Sequence, residues 1–417
     1  MSRSCLRCLV VLTAVLPSAV AWAEDWPCWR GPTHQGVSRE KGVPVKWSTT
    51  ENIAWKTRIP GDGWSSPIVG GDRVFLTATT AGGAACHVLC LDRKSGEIVW
   101  DKEVFQQKPG NMNGENSHAS PTPVTDGERV YAVFSDGSFA ALTHDGTVAW
   151  TNRSRKHKSQ HGLGASPLLH DGLLIMPFDG SDGEIGWQKP WDKAVLLGLD
   201  AKTGQVRWEG KRGLSRVAHV TPNVWRDAGH VQVITAAGDV IQGLDPANGK
   251  LLWTAEAPGE GVVPSVVLGG GMAFAASGSG RTLRAVRLGG QGDVSKSHLA
   301  WQQTKAVPFV PSFLYLDQCL YTIDDTGVAQ CLAADTGKVL WQERIGGKFR
   351  ASPIAADGKI YVVSEAGDAT VFEAARRYQL VSRNSIGERC KASMAVSGGQ
   401  IFLRGERQLY CIGTARP

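Results

Sequence analysis

The stretch Leu199–Trp208 reads LDAKTGQVRW, and its recurrence decides the fold. Leu91–Trp100 reads LDRKSGEIVW, Leu244–Trp253 reads LDPANGKLLW, Ala333–Trp341 gives AADTGKVLW, and His144–Trp150 gives HDGTVAW. In each copy an apolar strand enters a turn carrying Asp and Gly, and a short strand then ends in Trp. The Asp side chain bonds nearby backbone, and Gly supplies a positive φ. Apolar residues alternate on the outgoing strand, as in Val206 and Trp208 or Leu251 and Trp253, which reads as a hairpin rather than a helix.

Outward from each Trp comes a second landmark: Ser-Pro or Thr-Pro, an apolar strand, a Gly-containing turn and another apolar strand. Examples are SPIVGGDRVFLTA from Ser66, SPTPVTDGERVYAVF from Ser120 and SPIAADGKIYVVS from Ser352. One unit is therefore four short antiparallel strands over about 40 to 58 residues, the spacing of a propeller blade. Innermost strands open near Ser66, Ser120, Ser166, Thr221, Pro264, Pro311, Ser352 and Ser393. The expected fold is all-β, an eight-bladed β-propeller of four-stranded antiparallel blades. The last copy ends after three strands, while Asn52–Trp55 (NIAW) is an orphan outer strand. The last blade is thus expected to be closed by this N-terminal strand, leaving no open sheet edge at the seam. The terminal Trp residues serve as plugs between blades. Two units are irregular: the seventh has Tyr378 and Ser382 in place of the turn Gly and the Trp, and the fifth has a Gly-rich turn at Gly289–Gly292.

The Asp…Thr-Gly…Trp pattern resembles the pyrroloquinoline-quinone (PQQ) enzyme repeat. That family includes eight-bladed quinoprotein dehydrogenases and cofactor-free relatives such as the outer-membrane β-barrel assembly lipoprotein B. Asp25–Ser38, DWPCWRGPTHQGVS, resembles the leader of exported PQQ-like propellers. The resemblance runs from about Asp25 to the C-terminus and implies an architecture more than an activity.

Residues 1–23 read as a signal peptide: Arg3 and Arg7, an apolar core at Leu9–Leu16, and Ala21-Trp22-Ala23 before the cut. Residues 24–50 form a Trp-rich leader and 51–417 the propeller. An exported protein, periplasmic or extracellular, is expected, with no transmembrane segment because the apolar run is too short for a span. The chain of 417 residues carries 50 Gly and 15 Trp, as turns and plugs require. Loss of Arg3 and Arg7 takes the net charge from +6 to +4, which points to no nucleic-acid partner. Cys5 and Cys8 leave with the signal, and seven cysteines remain. Cys319 and Cys331 flank Asp324–Gly327 at similar distances and are candidates to face each other. Cys86 and Cys90 read as strand residues rather than zinc ligands. The vicinal Cys-Cys pair of PQQ alcohol dehydrogenases is missing from the sequence, as is a CxxCH haem motif.

In a four-stranded blade, the entry to the innermost strand and the connection between strands two and three emerge on one face. Reading two residues before each Ser-Pro position gives the channel mouth: Trp64, His118, Gly164, His219, Gly261, Phe309 or Pro308, Arg350 and Lys391. Long insertions fall on the same face. Lys102–His118 carries Glu115 and Asn116. Thr151–Leu163 carries His161 and the basic run Arg153–Lys158, read as a solvated loop face. Ser181–Lys193 carries Trp187 and Trp191, which suit ring stacking or plain packing. The histidines suit either ligand contact or strand-end hydrogen bonds. Glu115 with His118 suits a metal ligand, a base or a solvated carboxylate.

Two functions from different classes follow. One is a non-catalytic scaffold, without cofactor, that binds a protein or glycan partner at the loop-rich mouth. The other is a PQQ- and calcium-dependent dehydrogenase of alcohols or sugars. For the second, the resemblance implies Glu115 and Asn116 at calcium and Arg350 or Lys391 at the quinone; the sequence nominates no catalytic residue.

Overall fold

The repeat places its strands as expected. The computed structural model describes residues 24–110, 112–157, 159, 161–179, 193–212, 217–227, 229–259 and 261–414. The leading 23 residues, read above as a signal peptide, and the Trp187 and Trp191 insertion lie outside them. Eight antiparallel four-stranded sheets form a ring, one of them extended by a fifth short strand. Blade one comprises Ile68–Gly70, Arg73–Thr80, Ala85–Asp92 and Ile98–Gln106. Blade eight takes three strands from Ala395–Ser397, Gln400–Arg404 and Gln408–Ile412, and its outer strand is Ile53–Arg58 from the N-terminal side. Lys56 pairs with Tyr410 and Thr57 with Leu409, closing the ring.

The repeat motif is a docking device between blades. Trp150 donates its indole N–H to Ala201 O at 3.0 Å, in the turn of the next blade, and its ring covers Gly204. A Cβ on Gly204 would lie 2.4 Å from that ring, so the position excludes any larger residue. Trp55, Trp100 and Trp301 repeat both contacts on the turns holding Gly96, Gly146 and Gly337. The irregular seventh unit follows the same logic. Trp341 bonds Ala375 O at 2.9 Å and meets Tyr378 edge-on at 5.3 Å, so an aromatic contact replaces stacking on Gly. Where that unit lacks its own Trp, Ser382 and Asn384 bond Val45 O of the leader, and Trp47 packs with Val371, Ile386, Leu409 and Tyr410. The fifth unit's Gly-rich turn has a separate cause. Gly292–Asp293 pairs parallel with Trp253 and Thr254, covering the outer edge of blade four.

The innermost strands are joined by a closed ring of eight hydrogen bonds that links every blade to the next. Ser66 N–H donates to Thr122 Oγ1, Thr122 to Ser166, Ser166 to Thr221, Thr221 to Ser265, Ser265 to Ser312, Ser312 to Ser352, Ser352 to Ser393, and Ser393 back to Ser66, all at 2.9–3.1 Å. A Ser or Thr before the innermost strand thus accepts one neighbour's amide and donates its own to the other.

The leader crosses the far end of the channel. Trp26 pairs with Val69, Pro27 O accepts from Thr125 N–H, and buried Arg30 donates to Phe313 O. Gln35 then accepts from Leu268 N–H, Val37 pairs with Ala355, and Glu40 accepts from the Gly398 and Gly399 amides. Six of the eight blades are touched, so the channel is blind at that end. All seven described cysteines are buried thiols. Cys331 opposes Tyr321, and Cys319 opposes Ala333. The expected face-to-face pair is therefore diagonal, because the strands are offset by two residues.

Candidate functional site

The blind channel is a cavity of about 400 Å3. Its floor is Trp29 of the leader, and its walls include seven of the eight ring residues. The residue two before each ring hydroxyl lines the mouth: Trp64, Ser120, Gly164, His219, Val263, Val310, Arg350 and Lys391. Gly261, Phe309, Glu115, Asn116 and His161 also line it. Seven expected site residues therefore converge on one cavity: Trp64, Glu115, Asn116, His161, His219, Arg350 and Lys391.

His118 does not join them. In blade two the ring position is Thr122, not Ser120, so the mouth position shifts from His118 to Ser120. His118 turns away and packs on Gly83, with Nδ1 2.9 Å from Ser135 Oγ. Reading the first of two Ser/Thr-Pro pairs in SPTP placed it two residues out of register. Arg153, Arg155 and Lys156 of the basic run are exposed, as expected, but the run also makes wall contacts. Arg153 lies over the Phe105 ring at 5.1 Å and bonds Ser138, and His157 is buried against Phe178.

The mouth is charged at Glu115, Arg350 and Lys391 and neutral around the rest of its rim. Glu115 reaches from the blade-two entry loop across the opening to blades seven and eight. Its Oε2 accepts from Arg350 Nε at 2.8 Å and lies 3.5 Å from Lys391 Nζ. The Arg350 hydrogen bond, with both cations nearby, holds the Glu115 carboxyl down at about 2 despite partial burial. It is thus an ion-pair member and not the free loop carboxylate that was one expectation. Arg350 also bonds Asp325 Oδ1 at 3.0 Å, and Lys391 Nζ donates to Gly114 O at 2.9 Å and sits 5.5 Å from the centre of the Trp64 ring. Asp325, unnoticed in the sequence, accepts from the Phe309 and Val310 amides and is raised above the ordinary carboxylate range by burial. Elsewhere on the rim, His161 and His219 meet edge-to-face at 5.8 Å. Burial pushes His219 down to about 3 and lowers His161, so both are neutral at pH 7.

The PQQ and calcium set implied by the dehydrogenase resemblance does not fit these contacts. Glu115 is held by the two cations. Asn116 donates to His161 O at 2.7 Å and accepts from Ser120 Oγ. Arg350 and Lys391, the expected quinone contacts, are engaged by Glu115 and Asp325. Among the described residues no cluster of three or more His, Cys, Asp or Glu side chains is arranged to hold a metal ion.

Fold and site together define a PQQ-type repeat propeller with a blind channel and a self-paired mouth. The family model described as outer membrane protein assembly factor BamB matches residues 34–117, 81–291 and 236–380. The chain belongs to that family. BamB of Escherichia coli K12 is 30% identical over 124 residues, 30% of this chain and 26% of that protein, so the chain spans about a quarter of that relative's length. The crystal structure of BamB from Moraxella catarrhalis aligns with a TM-score of 0.59 at 17% identity, covering 86% of this chain and 96% of that one. Quinohemoprotein alcohol dehydrogenase from Comamonas testosteroni aligns at 0.68 and 11% identity, covering 94% and 81%. At these identities the structural matches speak for the fold alone.

Proposed function

We propose that this chain is an exported, non-catalytic scaffold that binds a protein partner through its channel mouth, in the outer-membrane assembly setting that the relatives' name describes. One observation carries the reading. The polar side chains that would hold a quinone and calcium are bonded to each other, so the mouth is a preformed recognition surface and not an open catalytic set. The location is taken as periplasmic, from the signal-peptide sequence and the family. Among the described residues no helix is long and apolar enough to cross a membrane.

The test is a photo-crosslinking amino acid in place of Phe309 at the mouth, and in place of Val148 on the outer rim, in cells that export the chain. Adducts with an outer-membrane assembly component are expected from position 309, and they should be lost when Trp64→Ala is added. In parallel, purified protein titrated with PQQ and calcium should show no saturable quinone absorbance change and no dye-coupled oxidation of alcohols or sugars. Stoichiometric PQQ binding with turnover would overturn the proposal, and so would adducts arising only from position 148.

A further inference from the structure

The mouth contains a peptide already. Segment Asn113–Asn116 presents a backbone carbonyl, Gly114 O, to Lys391 Nζ at 2.9 Å, and the next side chain, the Glu115 carboxylate, to Arg350 Nε at 2.8 Å. Lys391 itself lies 3.5 Å from that carboxylate. Its side chain is only 4% exposed, wedged against Trp64, whereas the Glu115 side chain is 54% exposed. The cations are built into the wall, and the acid rests on them from outside. Among the described residues, the polar contacts that hold 108–115 to the opposite blades are these alone. Glu115 is the exposed member of the pair, so a carboxylate from solvent can compete with it for the same two cations.

We propose that Trp64, Arg350 and Lys391 form a recognition site for an acidic peptide segment of the partner, and that Glu115 is a resident competitor that occupies the site until such a segment replaces it. This rests on the scaffold reading above and specifies its partner chemistry. A peptide is favoured over a free carboxylate because Lys391 reads a main-chain carbonyl and Arg350 the adjoining acid. The arrangement is complementary in charge: Asp325 pairs with Arg350 from within, and Glu365 approaches Lys391 only to 3.8 Å, which leaves one carboxylate place, now filled by Glu115.

The experiment is fluorescence anisotropy of a labelled ten-residue peptide of alternating Asp and Phe, and of its Asn counterpart, with the mature full-length chain. Glu115→Gln should bind the Asp peptide about five- to tenfold more tightly than wild type, because a self-occupied site lowers apparent affinity by its free fraction. The Arg350→Gln, Lys391→Gln double variant should bind it more weakly than wild type, and the Asn peptide should bind weakly to all. Thermal melts check that each variant is folded. Equal affinity of Glu115→Gln and wild type overturns the competitor. If Trp64→Ala still abolishes binding in that case, the mouth remains the partner surface. Absence of Asp-peptide binding to both wild type and Glu115→Gln overturns the acidic-peptide site, and mouth crosslinking then decides the scaffold reading separately.

Discussion

Replacing Ser352 by alanine removes one acceptor from the hydroxyl ring that joins the innermost strands. The Ser312 amide, in a residue 1% exposed, then loses its 2.9 Å partner, while Ser352 keeps its own donation to Ser393. A buried amide left unpaired costs about 1–3 kcal/mol. Ser352 borders the cavity, so a water can take the place of the lost hydroxyl and the low end applies. Ser265, which does not line the cavity, should lie nearer the high end. For a chain of this size the unfolding entropy is about 0.8 kcal/mol/K, so each variant should lower Tm by roughly 1–4 °C. Ser352→Thr should restore most of the loss, because Thr already serves at 122 and 221. Scanning calorimetry and urea midpoints on Ser265→Ala, Ser352→Ala and Ser352→Thr read this out. Unchanged midpoints in both alanine variants would refute the ring as a stabilising element and leave closure to the Ile53–Arg58 strand alone.

Other expectations follow from the same structure. Burial holds His157 down at about 4, against about 6.5 in the unfolded chain. Its contribution is therefore complete above pH 6.5 and is lost as pH falls toward 4, by up to roughly 3 kcal/mol; His157→Gln should flatten the urea-midpoint profile across that window, and superimposable profiles would contradict it. Gly243→Ala sets a Cβ 2.1 Å from Trp253 Nε1 and should destabilise by about 1–3 kcal/mol, seen as a lower Tm. Arg30→Met removes the donor to Phe313 O and should cost about 1–3 kcal/mol in urea midpoint, with no fall if the leader adds nothing to blade six.

What was legible in the sequence is what repeats. The Asp, Gly and Trp of each copy act within a hairpin and against the next one, so each copy announces the same contact. Eight blades, the closing strand and the mouth positions of five units followed from that, while units five and six place Val263 and Val310 where Gly261 and Phe309 were read. The failures share a physical cause. His118 was misplaced because two Ser/Thr-Pro pairs overlap in SPTP, and only the neighbour's amide at Ser66 selects Thr122. Trp47 beside Ser382 and Trp29 at the cavity floor come from a leader outside the repeat, and no period points to them. Glu115 meets Arg350 across 235 residues of chain. Nothing local to NGENS distinguishes a carboxylate in solvent from one laid across a ring. Residues from opposite blades meet only because the propeller closes, and the closure, not the motif, creates the pair.

The division between interior and rim bears on what such a scaffold recognises. The ring engages the innermost backbone amides, so below the mouth the wall offers a ligand hydroxyls and Trp29, while Val217, Val263, Val310 and two neutral imidazoles line the uncharged part of the rim. A charged group entering the depth of this cavity would find no ionic partner and would lose its hydration there. The leader shuts the other end, so every charged contact must be made at the mouth, where Arg350 and Lys391 stand. Recognition is thereby confined to loops and rim, while the eightfold core holds them in place. Relatives with the same core can bind different partners by changing the entry loop and the two or three residues that precede the ring hydroxyls.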